Sequence, residues 1–311
     1  MRSVEPKHQR QEATLHGKTC VLTGATAGIG KATAVQLARL GASLVLVCRN
    51  ELKAAAIQKF VTKYVPGAAV RTAIANLAVQ SSVRALAQEL NQCCARIDLL
   101  LNNAGVMKQK CSLTPDGIEV TFAVNHLAVF LLTELLLDKI VASAPARIIN
   151  VGSQGHRAEL LSGRPGQIDF GTFQGDADYG SLKAYTQSKL AVLMFSYDLA
   201  SQLIGTGVTV NCVHPGSIRT ALVREFSPLL VQPIHLFSGS GAPEQGAAVL
   251  VYLASSPTLS GVSGGYFSET HKVSSSPASY DQVVRRRLWD ESSKLTGLRV
   301  PYPGVLDTQG G

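Results

Sequence analysis

The chain has 311 residues, of which 46% are hydrophobic and 16% charged. This balance excludes an intrinsically disordered protein and allows one large domain with a substantial core. The formal net charge of +8 would suit an anionic partner, but the basic residues are scattered apart from the run at 285–287, so we expect no nucleic-acid binding. The six cysteines show neither CxxC nor Cys/His spacing, so we expect no metal site.

The chain shows no segment that predicts insertion into a membrane. The first 16 residues are polar, lack an apolar signal region and are predicted to form a flexible arm. The most apolar stretch, residues 127–137, is too short to cross a bilayer and contains Glu134. We therefore expect a cytoplasmic protein, with any membrane contact being peripheral and on the cytosolic face.

From residue 18 onward, short apolar strands alternate with helical patterns. The strands are predicted at residues 18–25, 43–49, 69–75, 97–105, 146–153, 208–216 and 264–269. The helices are predicted at residues 30–42, 51–64, 79–94, 117–140, 184–203 and 246–255. This alternation predicts an α/β fold with a doubly wound parallel sheet of about seven strands and helices on both faces.

We divide the chain into the arm, a dinucleotide-binding catalytic domain at 17–268 and a C-terminal extension at 269–311. A helix is predicted near 279–296, because Ser279 and Gln282 form a capping-box pattern and Gly297 is a typical terminator. The segments 154–180 and 219–243 are predicted to be loops. They follow strands, so they should lie near the carboxyl ends of the sheet, where ligands bind in such folds.

The stretch TGATAGIG, residues 23–30, follows the first strand and opens the first helix. Its glycines allow a tight turn and a close backbone approach to a diphosphate, whose charge the helix amino end attracts. The alternative is a structural turn without a ligand. The residues that we expect to bind a dinucleotide here are Gly24, Thr26, Gly28, Ile29 and Gly30.

The end of the second strand indicates which dinucleotide is bound. NAD sites usually offer a carboxylate to the adenosine ribose, whereas NADP sites offer an arginine. Here Arg49 follows the strand, and the first acid is Glu51. We therefore predict NADP(H) as the cofactor, the alternative being that Arg49 is an ordinary solvated arginine.

Five further motifs occur in order: NNAG at 102–105, NHL at 125–127, NVGS at 150–153, AYTQSK at 184–189 and HPG at 214–216. With the TGxxxGxG spacing, they make residues 17–268 resemble the short-chain dehydrogenase/reductase family, which implies a Rossmann-like fold. The segments SGGYFSE and RRRLWDESSKLTG resemble the group of retinol dehydrogenases, WW-domain oxidoreductases and the X-linked member that acts on polyprenoids. Trp289 is the one tryptophan, so no WW domain is present.

Two tyrosine–lysine pairs share the spacing that places side chains on one helix face: Tyr179 with Lys183, and Tyr185 with Lys189. Gly180 is a poor helix residue, and Ser181 can cap a helix that starts there. The first tyrosine should therefore precede the helix and line the substrate mouth. The resemblance also assigns the acid/base role to Tyr185.

The resemblance implies four catalytic residues. Tyr185 exchanges the proton, and Lys189 lowers the pKa of the phenol and holds the nicotinamide ribose. Ser153 hydrogen-bonds the substrate oxygen, the alternative being a strand-end cap. Asn125 anchors a water beside the lysine, the alternative being a buried residue at a helix bend. Family members often have two serines at 152–153; here Gly152 replaces the first.

The resemblance also implies the remaining contacts of the cofactor. Near the adenine, Asn76 stands where the family often has an aspartate, followed by Leu77. We interpret His156 and His214 as loop or substrate-pocket residues without a metal partner. The other expected cofactor residues are Asn103, Ala104, Gly105, Pro215, Gly216, Ile218 and Thr220.

Together these patterns predict an NADP(H)-dependent oxidoreductase that acts on a lipophilic alcohol or carbonyl of retinoid, steroid or polyprenoid type. The alternative is a scaffold or signalling protein that uses the same fold. Because the helices at 118–140 and 184–204 pair between subunits in the family, we also predict a homodimer. The competing interpretation is that their apolar faces bury against the sheet and the C-terminal helix.

Overall fold

The computed structural model describes residues 14–157, 166–216 and 242–303. Of the predicted N-terminal arm it therefore describes residues 14–16. Leu15 in this part is buried, and its N–H donates to the carbonyl oxygen of Leu40 at 2.8 Å. The end of the predicted arm is thus packed against the domain.

One sheet of eight strands forms the centre of the described structure, in the order β3-β2-β1-β4-β5-β6-β7-β8. The strands are β1 Thr19–Thr23, β2 Ser43–Cys48, β3 Val70–Ile74, β4 Leu99–Asn102, β5 Ala146–Val151, β6 Val208–His214, β7 Gly265–Ser268 and β8 His271–Val273. The first seven pair in parallel, as predicted, and β8 pairs antiparallel with β7. All three residues of β8 are exposed, so this strand has no apolar pattern from which it could be predicted. The predicted domain boundary at residue 268 falls inside the β7–β8 hairpin.

Seven helices surround the sheet in the described residues: α1 Gly28–Arg39, α2 Glu51–Tyr64, α3 Gln80–Cys93, α4 Val120–Ala142, α5 Ser181–Gln202, α6 Pro243–Ser255 and α7 Gln282–Thr296. Alternate residues of β2 show how they are distributed. Leu44 and Leu46 share a core with α1, α2 and α6, whereas Val45 and Val47 share a core with α3, α4 and α5. The predicted doubly wound arrangement is therefore confirmed.

The α4 helix differs from the continuous helix that we predicted. A π-helical turn over Ala123–Leu127 interrupts it, and such turns are frequent at functional sites. The stretch Val120–Ala142 is long and apolar enough to cross a membrane, but 78% of the relevant window is buried inside the protein. A core helix explains this burial.

The C-terminal helix begins and ends at defined caps. Gly297 terminates α7 with φ +67°, as predicted. The prediction of a Ser279 capping box is wrong, because the Asp281 carboxylate instead accepts the N–H groups of Val283 and Val284. Ser279 lies in a preceding short 3₁₀ turn. The helix therefore starts at Gln282.

The α7 helix covers the surface on which we based the homodimer. Trp289 packs against Phe130 of α4 and Phe195 of α5, with ring centroids 5.3 and 5.7 Å apart. The leucines at 131, 132 and 136 are buried within the same chain. These contacts favour the competing interpretation, and the homodimer stays a prediction.

The basic run at 285–287 is used inside the chain. Arg285 forms an ion pair with the buried carboxylate of Asp198, and Arg287 lies 3.9 Å from the ring centroid of Phe170. The guanidinium of Arg286 lies 5.8 Å from the ring of Tyr302. Each arginine therefore contributes to packing around α7.

Candidate active site

The glycines of the first loop are required by backbone geometry. Gly24 and Gly28 have φ values of +70° and +52°, which disfavour other residues. At Gly30, an added Cβ would lie 2.2 Å from the carbonyl oxygen of Gly24. The α1 helix therefore comes so close to the loop that no side chain fits between them. The predicted Ile29 is buried in the core beside it.

The end of β4 holds this loop in place. Asn103 donates through Nδ2 to the carbonyl oxygens of Thr23 and Gly24, at 2.8 and 3.2 Å. The hydroxyl of Thr23 accepts the N–H groups of Asn103 and Ala104, both at 3.0 Å. Thr23 opens the TGxxxGxG motif but was not among the predicted site residues. Both side chains thus stabilise the loop that we expect to bind the cofactor.

The amino end of α1 fits a dinucleotide diphosphate. Its N-cap residue, Ala27, offers no side-chain cap, and the first turn contains no acidic residue. The free N–H groups and the helix dipole therefore favour an anion at this end. Thr26 lies half-buried next to it. The loop also lies at the β1–β4 junction, where the strand order reverses and ligands bind in such sheets.

The residues predicted for the adenosine side follow β2 and β3. Arg49 is exposed directly after β2, and it forms no ion pair with any residue in the described ranges. Lys31, the nearby basic residue in the first turn of α1, lies over the ring of Phe60, 3.5 Å from its centroid. Asn76 accepts the N–H of Ala78 at 3.2 Å, and Leu77 packs against the core.

The predicted catalytic serine lies just after β5. The Ser153 hydroxyl accepts the N–H of Gly155 at 3.0 Å and caps the short turn Gln154–His156. The strand-end cap that we weighed against catalysis is therefore present. It occupies an oxygen lone pair and leaves the hydroxyl hydrogen free to be donated. The two roles are compatible.

Tyr185 lies half-buried in the first turns of α5, beside this serine. Burial raises the pKa of the Tyr185 phenol, and a hydrogen bond with Ser153 lowers it, with a net increase. The phenol is therefore protonated at neutral pH without a cofactor. It can serve as a proton donor.

Lys189 lies one helical turn further along α5 and is buried. Its Nζ donates to the carbonyl oxygen of Val151 at 2.7 Å and lies 5.9 Å from the ring centroid of Tyr185. Burial lowers the pKa of this amine to about 8, which nearby Cys212 partly opposes. The ammonium has two further hydrogens for other partners.

Asn125 lies on the π-helical turn of α4. Its side chain exchanges two hydrogen bonds with the backbone of Val106, at 2.8 and 2.9 Å, and donates to the Ser188 hydroxyl at 2.9 Å. An added Cβ at Gly105 would lie 3.4 Å from Asn125 Oδ1 and 3.6 Å from Lys189 Nζ. Asn125 thus joins the NNAG segment to the catalytic helix. The water that we predicted beside it stays a prediction.

Tyr179 is held by a different set of contacts. It precedes α5, as predicted, but its hydroxyl lies 3.0 Å from the carbonyl oxygen of Lys108 and 3.2 Å from the Glu119 carboxylate. Burial raises its pKa to about 12; a hydrogen bond with the Thr121 hydroxyl opposes this increase, and Glu119 adds to it. These contacts fix the hydroxyl as a structural anchor, so they do not support the predicted place at the substrate mouth. The predicted Ser181 cap is wrong, because its hydroxyl caps no helix end and has no hydrogen-bond partner in the described structure.

The nicotinamide side is described as far as Gly216. Pro215 is buried, and Gly216 has φ +92°. Ile218 and Thr220, which we also predicted to bind the cofactor, lie outside the described residues. At Gly152, an added Cβ would lie 2.7 Å from Cys212 Sγ. The glycine that replaces a family serine thus accommodates this cysteine.

The two histidines near the site are buried, and neither belongs to a potential metal cluster within the described ranges. Burial lowers the pKa of each to about 4. His156 contacts the backbone of Ser153 and of Ser276. It lies in the loop after β5, as predicted, and in addition bridges this loop to the C-terminal extension.

Comparisons with known proteins agree with this geometry. The sequence model of the family described as "short chain dehydrogenase" matches residues 18–163 and 158–229. Human retinol dehydrogenase 13 is 42% identical over 93% of this chain and 88% of its own length. A putative uncharacterized protein from Mycobacterium paratuberculosis has a TM-score of 0.72 at 28% identity, covering 93% of this chain and 97% of its own.

A second solved structure, the RhlG/NADP active-site complex from Pseudomonas aeruginosa, has a TM-score of 0.66 at 27% identity, covering 82% of this chain and 95% of its own. Both solved structures share the doubly wound sheet. The motifs, the sheet and the relatives all lead to one assignment. The chain belongs to the short-chain dehydrogenase family of alcohol- and carbonyl-directed oxidoreductases, in its retinol dehydrogenase subgroup.

Proposed function

We propose that the chain is an NADP(H)-dependent oxidoreductase that interconverts a lipophilic alcohol and its carbonyl compound, with Ser153, Tyr185 and Lys189 as the catalytic residues. The observation that carries the proposal is the placement of these side chains at the carboxyl edge of the sheet. The segment after β4 lies beside Lys189 at Gly105 and holds the glycine loop through Asn103. A scaffold protein would not need all three groups together.

Each of the three side chains has its own part in carbonyl reduction. The reduced nicotinamide supplies the hydride to the carbonyl carbon. Tyr185 donates its proton to the carbonyl oxygen, and Ser153 donates a hydrogen bond to the same oxygen. The Lys189 ammonium stabilises the phenolate that remains and holds the cofactor's ribose through its free hydrogens. Oxidation of the alcohol uses the same groups in reverse.

The cofactor preference depends on Arg49. Its guanidinium is exposed after β2 and forms no ion pair in the described structure. It is therefore available to donate hydrogen bonds to a phosphate on the adenosine ribose. The solved relative from Pseudomonas aeruginosa is a complex with NADP. The lipophilic substrate class follows from relatives named retinol dehydrogenases, since retinol is an apolar alcohol.

Turnover and cofactor affinity test the proposal. We expect NADPH-dependent reduction of lipophilic aldehydes and tighter binding of NADPH than of NADH. Arg49→Gln should weaken the binding of NADPH about 10- to 100-fold, because it removes a charge-assisted contact. It should leave the affinity for NADH unchanged. Lys53→Gln is the matched control, because it removes an exposed charge from nearby α2. Equal affinities for the two cofactors in the unmodified protein would refute the NADP assignment, and NADPH binding without turnover would favour a scaffold.

A further inference from the structure

His156 makes two hydrogen bonds that fix its tautomer. Its Nε2 lies 3.1 Å from the backbone N–H of Ser276. A backbone N–H can only donate, so Nε2 is the acceptor. The proton of the neutral imidazole is therefore on Nδ1, which donates to the carbonyl oxygen of Ser153 at 2.6 Å.

The surroundings of His156 keep the ring neutral and in place. It is 1% exposed and meets the ring of Tyr266 on β7 edge-on, with centroids 4.6 Å apart. The charged or titratable groups near it are Arg157 on its own turn, His214 on β6 and Tyr266 on β7. Burial lowers the pKa of His156, the hydrogen bond to the Ser153 carbonyl opposes this, and Arg157 lowers it further, with a net decrease to about 4.

The segment that His156 reaches is itself anchored to the catalytic helix. Ser275 bonds the hydroxyl of Tyr197 on α5 at 2.7 Å and that of Ser279 at 2.6 Å. Ser279 donates in turn to the carbonyl oxygen of Ser276 at 2.6 Å. The extension is thus connected both to α5, which carries Tyr185, and, through His156, to the loop that carries Ser153.

Ser153 depends on this loop for its orientation. Its carbonyl oxygen accepts from His156 Nδ1 and, at 3.2 Å, from the His156 backbone N–H. Its hydroxyl is held from the other side by the N–H of Gly155. The hydroxyl lies beside the Tyr185 ring, since a Cβ added at Gly155 would lie 3.3 Å from Ser153 Oγ and 3.5 Å from Tyr185 Cε1. A rotation of this turn would therefore change how the hydroxyl hydrogen is directed toward Tyr185.

We propose that His156 is a positioning residue that connects the C-terminal extension to the catalytic serine and thereby fixes the Ser153 hydroxyl toward Tyr185. The proposal rests on the proposed function for its catalytic meaning. It makes the extension part of the site, although the extension lies more than a hundred residues from Ser153 in the sequence. His156 touches no reacting atom.

Three substitutions separate the two hydrogen bonds of His156. His156→Phe keeps a ring and removes both bonds. His156→Asn places an amide where Nδ1 stands, so it can still donate to Ser153. His156→Gln places an amide where Nε2 stands, so it can still accept from Ser276. His126→Phe is the control, because His126 is a buried histidine that bonds Ser292 of the same extension at 2.8 Å without contacting Ser153.

The first readout is the ionisation of Tyr185 in the NADP⁺ complex, followed by NMR with tyrosine labelled at Cζ and assigned with Tyr185→Phe. Ser153 lowers the pKa of Tyr185, so His156→Phe and His156→Gln should raise it by about one unit, a tenfold change in proton affinity. His156→Asn should restore most of the original value. His126→Phe should leave it unchanged.

The second readout is steady-state kinetics. We expect kcat to fall by up to about tenfold in His156→Phe, because a weaker acid donates its proton more slowly, with the KM for NADPH unchanged. An unchanged Tyr185 pKa in His156→Phe, or equal values in the Asn and Gln variants, would overturn the proposal. If His156→Phe does not fold, the Asn and Gln pair decides. The titration needs no turnover, so an inactive wild-type protein would refute the proposed function while still testing His156.

Discussion

The two tyrosine–lysine pairs around the start of α5 have the same spacing, but their side chains have different hydrogen-bond partners and different burial. Tyr179 precedes the helix, and its hydroxyl is taken up by the Lys108 carbonyl and the Glu119 carboxylate. Tyr185 lies on the helix, beside the free hydroxyl hydrogen of Ser153. Burial raises the pKa of both phenols, and each has a hydroxyl neighbour that lowers it, Thr121 for Tyr179 and Ser153 for Tyr185; the Glu119 carboxylate beside Tyr179 adds a further increase. Spacing alone therefore does not make a tyrosine an acid/base.

The lysines differ in the same way. Lys183 is exposed and pairs with Asp169 and Asp176, at 2.9 and 3.6 Å. Its bond with Asp169 raises its pKa, so it stays charged and engaged. Lys189 is buried among neutral groups, and its pKa falls to about 8. Burial disfavours the Lys189 ammonium, but with a pKa of about 8 the amine is still mostly charged at neutral pH. Lys183 is held in a surface ion pair instead.

The largest effect is expected when each lysine is removed. Lys189→Ala should lower kcat/KM by at least about 10²-fold, because it removes both the charge that favours the phenolate and a contact to the cofactor. Lys183→Ala should change kcat/KM less than about threefold, since an exposed ion pair contributes at most about 1 kcal/mol to stability. Steady-state kinetics with NADPH measure both. Comparable losses in the two variants would remove the distinction between the pairs.

The pH dependence sharpens the comparison of the lysines. Lys189 is charged below its pKa of about 8, so kcat/KM for reduction should fall as the pH rises through 8, approaching tenfold per unit. Lys183 cannot cause this limb, because its pKa is raised. A pH–rate profile of the wild type and of Lys183→Ala should therefore show the same alkaline limb. If the alkaline limb disappears in Lys183→Ala, Lys183 and not Lys189 causes it, and this account of the pH dependence is wrong.

The smallest effect concerns stability at the first tyrosine. Tyr179→Phe should lower the free energy of unfolding by about 1–2 kcal/mol, because it removes the hydroxyl that bonds Lys108 and leaves Glu119 with one partner fewer. Tyr64→Phe is the control, since Tyr64 is 53% exposed and its ring packs on Phe60. Urea unfolding measures both variants. A neutral Tyr179→Phe would show that this hydroxyl anchors nothing.

The sequence predicted those elements whose formation depends on neighbouring residues, namely the apolar strands and the glycine loop. Buried strands such as β2 read as continuous apolar runs, and the glycine loop followed from residues that must turn and pack closely, Gly24 and Gly30 above all. The three exposed residues of β8 carry no such pattern. The cap at Asp281 was missed because Ser279 offered a better-known motif two residues earlier.

The contacts that distinguish the two tyrosines were not predictable, because they join distant parts of the chain. Glu119 is sixty residues from Tyr179 and Ser276 is 120 from His156. The π-helical turn at Asn125 likewise depends on Val106 and Ser188, which approach it from two other segments. Motif resemblance identified Ser153, Tyr185 and Lys189 as candidates, but the contacts that distinguish Tyr185 from Tyr179 are tertiary.

The most direct test compares Tyr185→Phe with Tyr179→Phe under saturating NADPH. Tyr185→Phe removes the proton donor and keeps the ring, so single-turnover reduction of a lipophilic aldehyde should slow by about 10²–10⁴-fold while NADPH still binds. Tyr179→Phe should reduce the aldehyde at nearly the wild-type rate. Loss of reduction in Tyr179→Phe together with an active Tyr185→Phe would contradict the assignment.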